Sequence, residues 1–223
     1  NILPPKLNIM VKIKLCGLCE PTHFEVAWEL GVKYVGLVFV EKSPRSISID
    51  YARSILENVP QGLVKVGLLV NPKNDFIQKI ASLNLNMIQL HGSETVERVH
   101  EIRRTTGMEI IKAVGLNRKE DLKGIYKYSQ VADQVLIDAK PSSNKDLPGG
   151  NGLKFDWKLI KNNTWKFPWF LAGGLKEVNL LEALKETNAK QVDVSSGIED
   201  KNGRKDVNKI IGFVEKVKEY KGF

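Results

Sequence analysis

The chain has 223 residues, 42% of them hydrophobic, enough to bury the core of one large domain. Its formal net charge of +8 favours anionic ligands. The lysines are dispersed, however, and the densest runs (Lys201 to Lys205, Lys209 to Lys221) are interleaved with acidic and apolar residues. That pattern reads as a solvated helix face and argues against a nucleic-acid partner. Two cysteines exclude a disulfide framework and point to a reducing, cytoplasmic setting. No apolar run approaches the roughly 18 residues that span a membrane, so no membrane partner is expected.

Residues 1–9 carry no signal-peptide layout and read as a short extension, with one domain over 10–223. From Val11 the chain alternates short apolar runs with longer amphipathic ones. Val11–Cys16 reads as a strand, and Pro21–Gly31 as a helix opened by proline and closed by glycine. The following pairs are Tyr34–Val40 with Ile49–Asn58, Leu63–Val70 with Asn74–Leu83, and Asn86–Leu90 with Glu94–Thr105. After them come Glu109–Val114 with Arg118–Ser129, and Gln134–Asp138 with a Gly-rich loop and a short helix near Phe155–Lys161. Trp169–Ala172 with Glu177–Thr187, and Gln191–Val194 with Asp206–Tyr220, complete eight strand–helix units. Regular alternation predicts a parallel sheet, and eight units in this length predict an α/β fold of one type, a single (β/α)₈ TIM barrel.

A barrel of this kind places its chemistry where strands end. Cys16-Gly17 follows the first strand and Ser43-Pro44-Arg45 the second, while Gln89-Leu90-His91-Gly92 follows the fourth and Asp138 ends the sixth. The segments Leu171-Ala172-Gly173-Gly174-Leu175 and Asp193-Val194-Ser195-Ser196-Gly197 end the seventh and eighth. Consecutive glycines bring backbone close to a ligand, and serine hydroxyls add donors, so these two segments predict an anion site for a phosphate. Strands 3 and 5 end quietly, in Val70-Asn71 and Ala113-Val114.

Period-2 alternation puts Lys12, Lys14 and Cys16 on one face of the first strand. Lys14 is expected to lower the Cys16 pKa toward neutrality, making it a base or nucleophile. Asp138 closes an apolar run, which should raise its pKa and suit it to general-acid work. Arg45 offers a planar fork for a carboxylate. Gln89 and His91 share a strand face from which both can donate to a substrate. Gly149-Gly150-Asn151-Gly152 reads as a loop able to wrap a ligand. Two other readings compete for the first loop: Cys16-x₂-Cys19-x₃-His23 offers three zinc ligands, and Cys-x-x-Cys a redox dithiol.

In this order the motifs Lys14-x-Cys16-Gly17, Ser43-Pro44-Arg45, Gln89-Leu90-His91-Gly92, Asp138, Gly149-Gly150-x-Gly152 with Phe155-Asp156-Trp157, and the two Gly/Ser segments closely resemble the phosphoribosylanthranilate isomerase family. The resemblance runs from about Val11 to the end of the chain. It implies an Amadori rearrangement in tryptophan biosynthesis without cofactor or metal, on a phosphorylated small-molecule substrate. It also implies Cys16 as base and Asp138 as acid. By the same resemblance Arg45 steadies the anthranilate moiety and the two Gly/Ser segments, with Gly173, Gly174, Asp193, Ser195, Ser196 and Gly197, hold the phosphate; His91, Gly150 and Gly152 are read beside them as substrate-binding. A monomer or a homodimer fits equally. Leu15 stands where isoleucine is commoner, and Cys19 where threonine is frequent; the second thiol opens a route to oxidative inactivation. The rivals are another phosphosugar isomerase or epimerase, in which an aspartate would stand at position 16, and a zinc-stabilised or basic binding module.

Overall fold

A computed structural model describes residues 11–140, 152–161 and 163–222. The proposed extension at 1–9 lies outside the described residues. Eight parallel strands, β1 (Lys12–Cys16), β2 (Tyr34–Val38), β3 (Val64–Leu69), β4 (Met87–Leu90), β5 (Glu109–Leu116), β6 (Gln134–Ala139), β7 (Trp169–Leu171) and β8 (Gln191–Val194), pair in sequence order. β1 closes the barrel onto β8, with Lys14 beside Asp193 on one side and beside Tyr34 on the other. Seven α-helices cover the described outside: α1 (Pro21–Glu29), α2 (Ile49–Leu56), α3 (Asn74–Ala81), α4 (Val96–Thr106), α5 (Leu122–Ser129), α6 (Glu177–Thr187) and α7 (Val207–Glu219). The predicted TIM barrel is the observed one.

Strand alternation divides the core in two. Outward side chains such as Ile13, Leu15, Ile88, Ile110 and Ile137 are buried under the helices. Inward ones (Tyr34, Val66, Met87, Ile111, Leu136, Phe170) fill the barrel, where Tyr34 and Phe170 meet edge to face at 5.1 Å. Strands buried on both faces need the near-continuous apolar runs seen in the sequence. Helix ends are fixed by local chemistry. The Ser48, Thr95 and Asp206 side chains accept from the backbone amides of the first turns of α2, α4 and α7. Gly107 closes α4 at φ +68°.

The sixth unit departs from expectation. The helix predicted near Phe155–Lys161 is a single 3₁₀ turn, Trp157–Leu159, capped by Asp156. Trp157 and Ile160 are buried three residues apart, which one tight turn suffices to achieve, and Pro168 then leads into β7.

Candidate active site

At the C-terminal ends of the strands lies a cleft with about 800 Å³ of open space, mouth included. Cys16, Arg45, Gln89, His91 and Asp138 line it, opposite Gly152, Gly173, Gly174, Ser195 and Ser196. All the predicted site residues that the structure describes meet here except Gly197, which lies behind this wall; Gly150 falls outside the described residues.

Cys16 sits at the inner top of β1 beside Gly36 of β2. A Cβ on Gly36 would lie 3.0 Å from the Cys16 Sγ and 3.3 Å from the Lys14 Nζ, so the glycine makes room for both groups. Lys14 is fully buried and donates to Asp193 Oδ1 at 2.7 Å. Burial works against the Lys14 charge, but Asp193 and the neighbouring Cys16 hold its pKa above the ordinary value. The expectation that Lys14 brings the Cys16 thiol down is corrected. Burial pushes the thiol up; Lys14 and Lys205 pull it down and Asp193 opposes them, and the net direction is up. The physical reason is burial, which outweighs the pull of the two lysines, with Asp193 offsetting part of that pull. Alkylation of Cys16 by iodoacetamide is therefore expected to be slow at pH 7, with a rate still climbing above pH 9. A rate that levels off below pH 8 would contradict this environment.

The pair also holds the barrel together. Replacing Lys14 by methionine strands the Asp193 carboxylate, which is 8% exposed, without its cation. Removing one partner of a buried pair costs about 3–5 kcal/mol. Urea denaturation of Lys14→Met is expected to show a loss of that size, and a loss below 1 kcal/mol would contradict the reading.

Asp138 projects from β6 on the far side of the cleft. Its Oδ1 accepts from the Ala139 amide at 2.8 Å, and its Oδ2 lies 3.1 Å from His91 Nε2. His91 Nδ1 in turn lies 2.9 Å from Gln89 Nε2. Gln89 thus addresses His91, and His91 addresses Asp138. The quiet ends of strands 3 and 5 build the floor below them. Lys112 of β5, 2% exposed, donates to the carbonyls of Leu90, Gly92 and Ala113 and pairs with Glu94 at 3.1 Å. Glu94 accepts from the Asn71 amide, while Asn71 Oδ1 accepts from the Ser93 amide, so two loops are stapled under His91.

Arg45 closes a third side. Its Nε and one terminal nitrogen donate to the two Glu199 oxygens at 2.6 and 2.8 Å, a bidentate fork. Lys205 joins the same carboxylate at 2.6 Å and donates to the Ser195 carbonyl and hydroxyl at 2.9 and 3.1 Å. Burial pushes the Glu199 carboxyl up, but Arg45 and Lys205 together hold it below the ordinary value. The sequence reading missed both Glu199 and Lys205. Lys205, read there as part of a solvated helix face, has a side chain only 2% exposed. The available signal was position, because both residues follow β8 directly.

The two Gly/Ser segments need their small residues. Gly173 and Gly174 adopt φ of +86° and +61°, and a Cβ on either would come within 2.8 Å of backbone, at Ala139 and at Gly152 and Leu153 respectively. A Cβ on Gly197 would run into the Leu175 carbonyl oxygen, so this glycine locks the two segments together. The zinc reading finds no support in the geometry: among the described residues no three His, Cys, Asp or Glu side chains cluster as metal ligands. Cys16 and Cys19 are free thiols. No described helix is long and apolar enough to cross a membrane.

Comparison with known proteins adds an independent line. The family model described as N-(5'phosphoribosyl)anthranilate (PRA) isomerase matches residues 13–216. N-(5'-phosphoribosyl)anthranilate isomerases of Ruegeria sp. (strain TM1040) and Cereibacter sphaeroides (strain ATCC 17029) are 45% and 46% identical, over 92% of this chain and 96% and 97% of theirs. The crystal structure of phosphoribosyl anthranilate isomerase from Thermotoga maritima superposes with a TM-score of 0.83 at 33% identity, covering 94% of this chain and all of that one. A crystal structure of such an isomerase in complex with reduced 1-(o-carboxyphenylamino)-1-deoxyribulose 5-phosphate gives 0.81 with the same identity and coverage.

Proposed function

The chain belongs to the N-(5'-phosphoribosyl)anthranilate isomerase family, and from that premise we propose how its cleft divides the work. It is an isomerase of tryptophan biosynthesis that turns N-(5-phosphoribosyl)anthranilate into 1-(2-carboxyphenylamino)-1-deoxyribulose 5-phosphate. The observation that carries our assignment is that Cys16 and Asp138, from β1 and β6, are ionisable side chains facing each other across one cleft.

Asp138 acts as the general acid. It gives its proton to the furanose ring oxygen, the C1'–O bond breaks, and the anthranilate nitrogen becomes part of an iminium ion. The Cys16 thiolate then removes the proton from C2', and the electron pair moves into the iminium to form an enolamine. Loss of the 2'-hydroxyl proton and protonation at C1' give the ketone. Lys14 and Lys205 are the two cations that favour the thiolate over the thiol in this buried position. The protons on O4' and C1' balance those lost from C2' and O2', so no electrons leave the substrate. We assign no cofactor and no metal.

Arg45, held in plane by Glu199, faces the anthranilate carboxylate. Gly152, Gly173, Gly174, Ser195 and Ser196 form the cradle of the 5'-phosphate, anchoring the ribose between acid and base, and Gly197 packs its two segments together. Asp193 serves this cleft as the counter-ion of Lys14. The chain acts as a monomer or a homodimer. Two free thiols suit a reducing, cytoplasmic setting. The test is the fluorescence of phosphoribosylanthranilate, which the purified protein is expected to extinguish catalytically; substrate that persists at the rate of its spontaneous decay would overturn the reading.

A further inference from the structure

Gln89 is buried at the inner top of β4, and its Oε1 has no hydrogen-bond partner, although its Nε2 meets His91 Nδ1 at 2.9 Å. An orphaned buried carbonyl costs about 1–3 kcal/mol. A primary amide carries its donor and acceptor in nearly the same shape, so turning it by 180° is isosteric. Either end of the amide can meet His91 Nδ1, and the position facing away from the ring offers the carbonyl no donor. The choice between them falls to the proton on His91.

The two orientations leave Asp138 in different states. With the NH₂ toward His91, Nδ1 must accept; the ring proton then sits on Nε2 and is donated to Asp138 Oδ2, 3.1 Å away. Asp138, which also accepts from the Ala139 amide, is then a carboxylate and has no proton to give. With the carbonyl toward His91, Nδ1 carries a proton, and a second one is shared between Nε2 and Oδ2. Only that second state lets Asp138 deliver a proton.

We propose that Gln89 is a positioning residue for proton transfer, its side-chain amide turning between two orientations that set the His91 tautomer and so arm or disarm Asp138. The inference rests on the reading of Asp138 as the general acid. The cycle balances: the pair takes up one proton when the carbonyl faces His91 and releases it to the ring oxygen, whereupon the amide turns back. The other titratable groups lining the cleft are Cys16, Arg45 and Asp193, with Lys14 behind Asp193.

The chain has three histidines, so ring ¹⁵N signals are assignable. In native protein both His91 ring states are expected, Nε2–H with the amide NH₂ facing the ring and Nδ1–H with the carbonyl facing it. Gln89→Met removes the acceptor and should leave the Nε2–H state, cutting kcat about 10- to 100-fold with KM within threefold. Gln89→Glu can only accept and should leave the Nδ1–H state. Opposite ring states in the two variants are the signature, because a merely structural role would not select between them. The same ring state in both variants, or a Gln89→Met kcat within twofold of native, overturns the proposal. Asp138→Asn separates the premise: if it keeps full activity, the acid assignment falls. If it is inactive while the Gln89 variants behave like native, only the present inference falls.

Discussion

Cys16→Ser is expected to lower kcat by about 10²–10⁴-fold, the range that a positioned general base contributes. Serine matches cysteine closely in shape, but its hydroxyl does not ionise in the range where a buried thiol still does. Burial already pushes the Cys16 thiol up, and the two nearby lysines are what remains to favour an anion there. A hydroxyl at the same place would keep its proton. Binding should change little, with KM within about threefold, because the phosphate cradle and Arg45 lie on other strands and loops. Steady-state kinetics together with a thermal melt separate this from misfolding. A variant that folds like native and retains more than a tenth of kcat would remove Cys16 from the role of base.

Asp138→Asn carries an expected loss of similar size in kcat, for the opposite reason: an amide has no proton to give. The substitution also disturbs a neighbour. In its Nε2–H tautomer His91 joins the Ala139 amide as a second donor on the two Asp138 oxygens. An asparagine offers only one oxygen, so its NH₂ must face one of those donors or His91 must move its proton to Nδ1. A stability loss of about 1–3 kcal/mol is expected for an unmatched buried polar group. Single-turnover fluorescence measures the chemical step directly. If the ring opened as fast as in native protein, the acid would have to be sought elsewhere in the cleft.

The alternation of short apolar runs with amphipathic ones made the barrel legible, because a two-faced buried strand and a one-faced helix impose different periods on the sequence. Strand ends then pointed to Cys16, Arg45, His91 and Asp138, since the barrel itself decides where ligands are met. What stayed hidden was pairing across the chain. Arg45 and Glu199 are 154 positions apart, and nothing local marks them as partners. Lys205 looked like one surface lysine among many, although its side chain is buried between Ser195 and Glu199. The Cys16 pKa was misjudged for the same reason. The sequence placed Lys14 near the thiol but did not reveal how fully the barrel buries Cys16, nor that Asp193 lies against Lys14 and offsets part of its pull. The short sixth helix failed differently, because one 3₁₀ turn buries Trp157 and Ile160 as well as a longer helix would.

The measurement that bears most directly on the whole account resolves the product. Phosphoribosylanthranilate is incubated with the purified protein in the presence of a metal chelator, and the products are separated and weighed by mass spectrometry. The account predicts a ketose of unchanged mass, formed by native protein and lost in both Cys16→Ser and Asp138→Asn. Release of free anthranilate in its place, or dependence of the ketose on added metal, would contradict it.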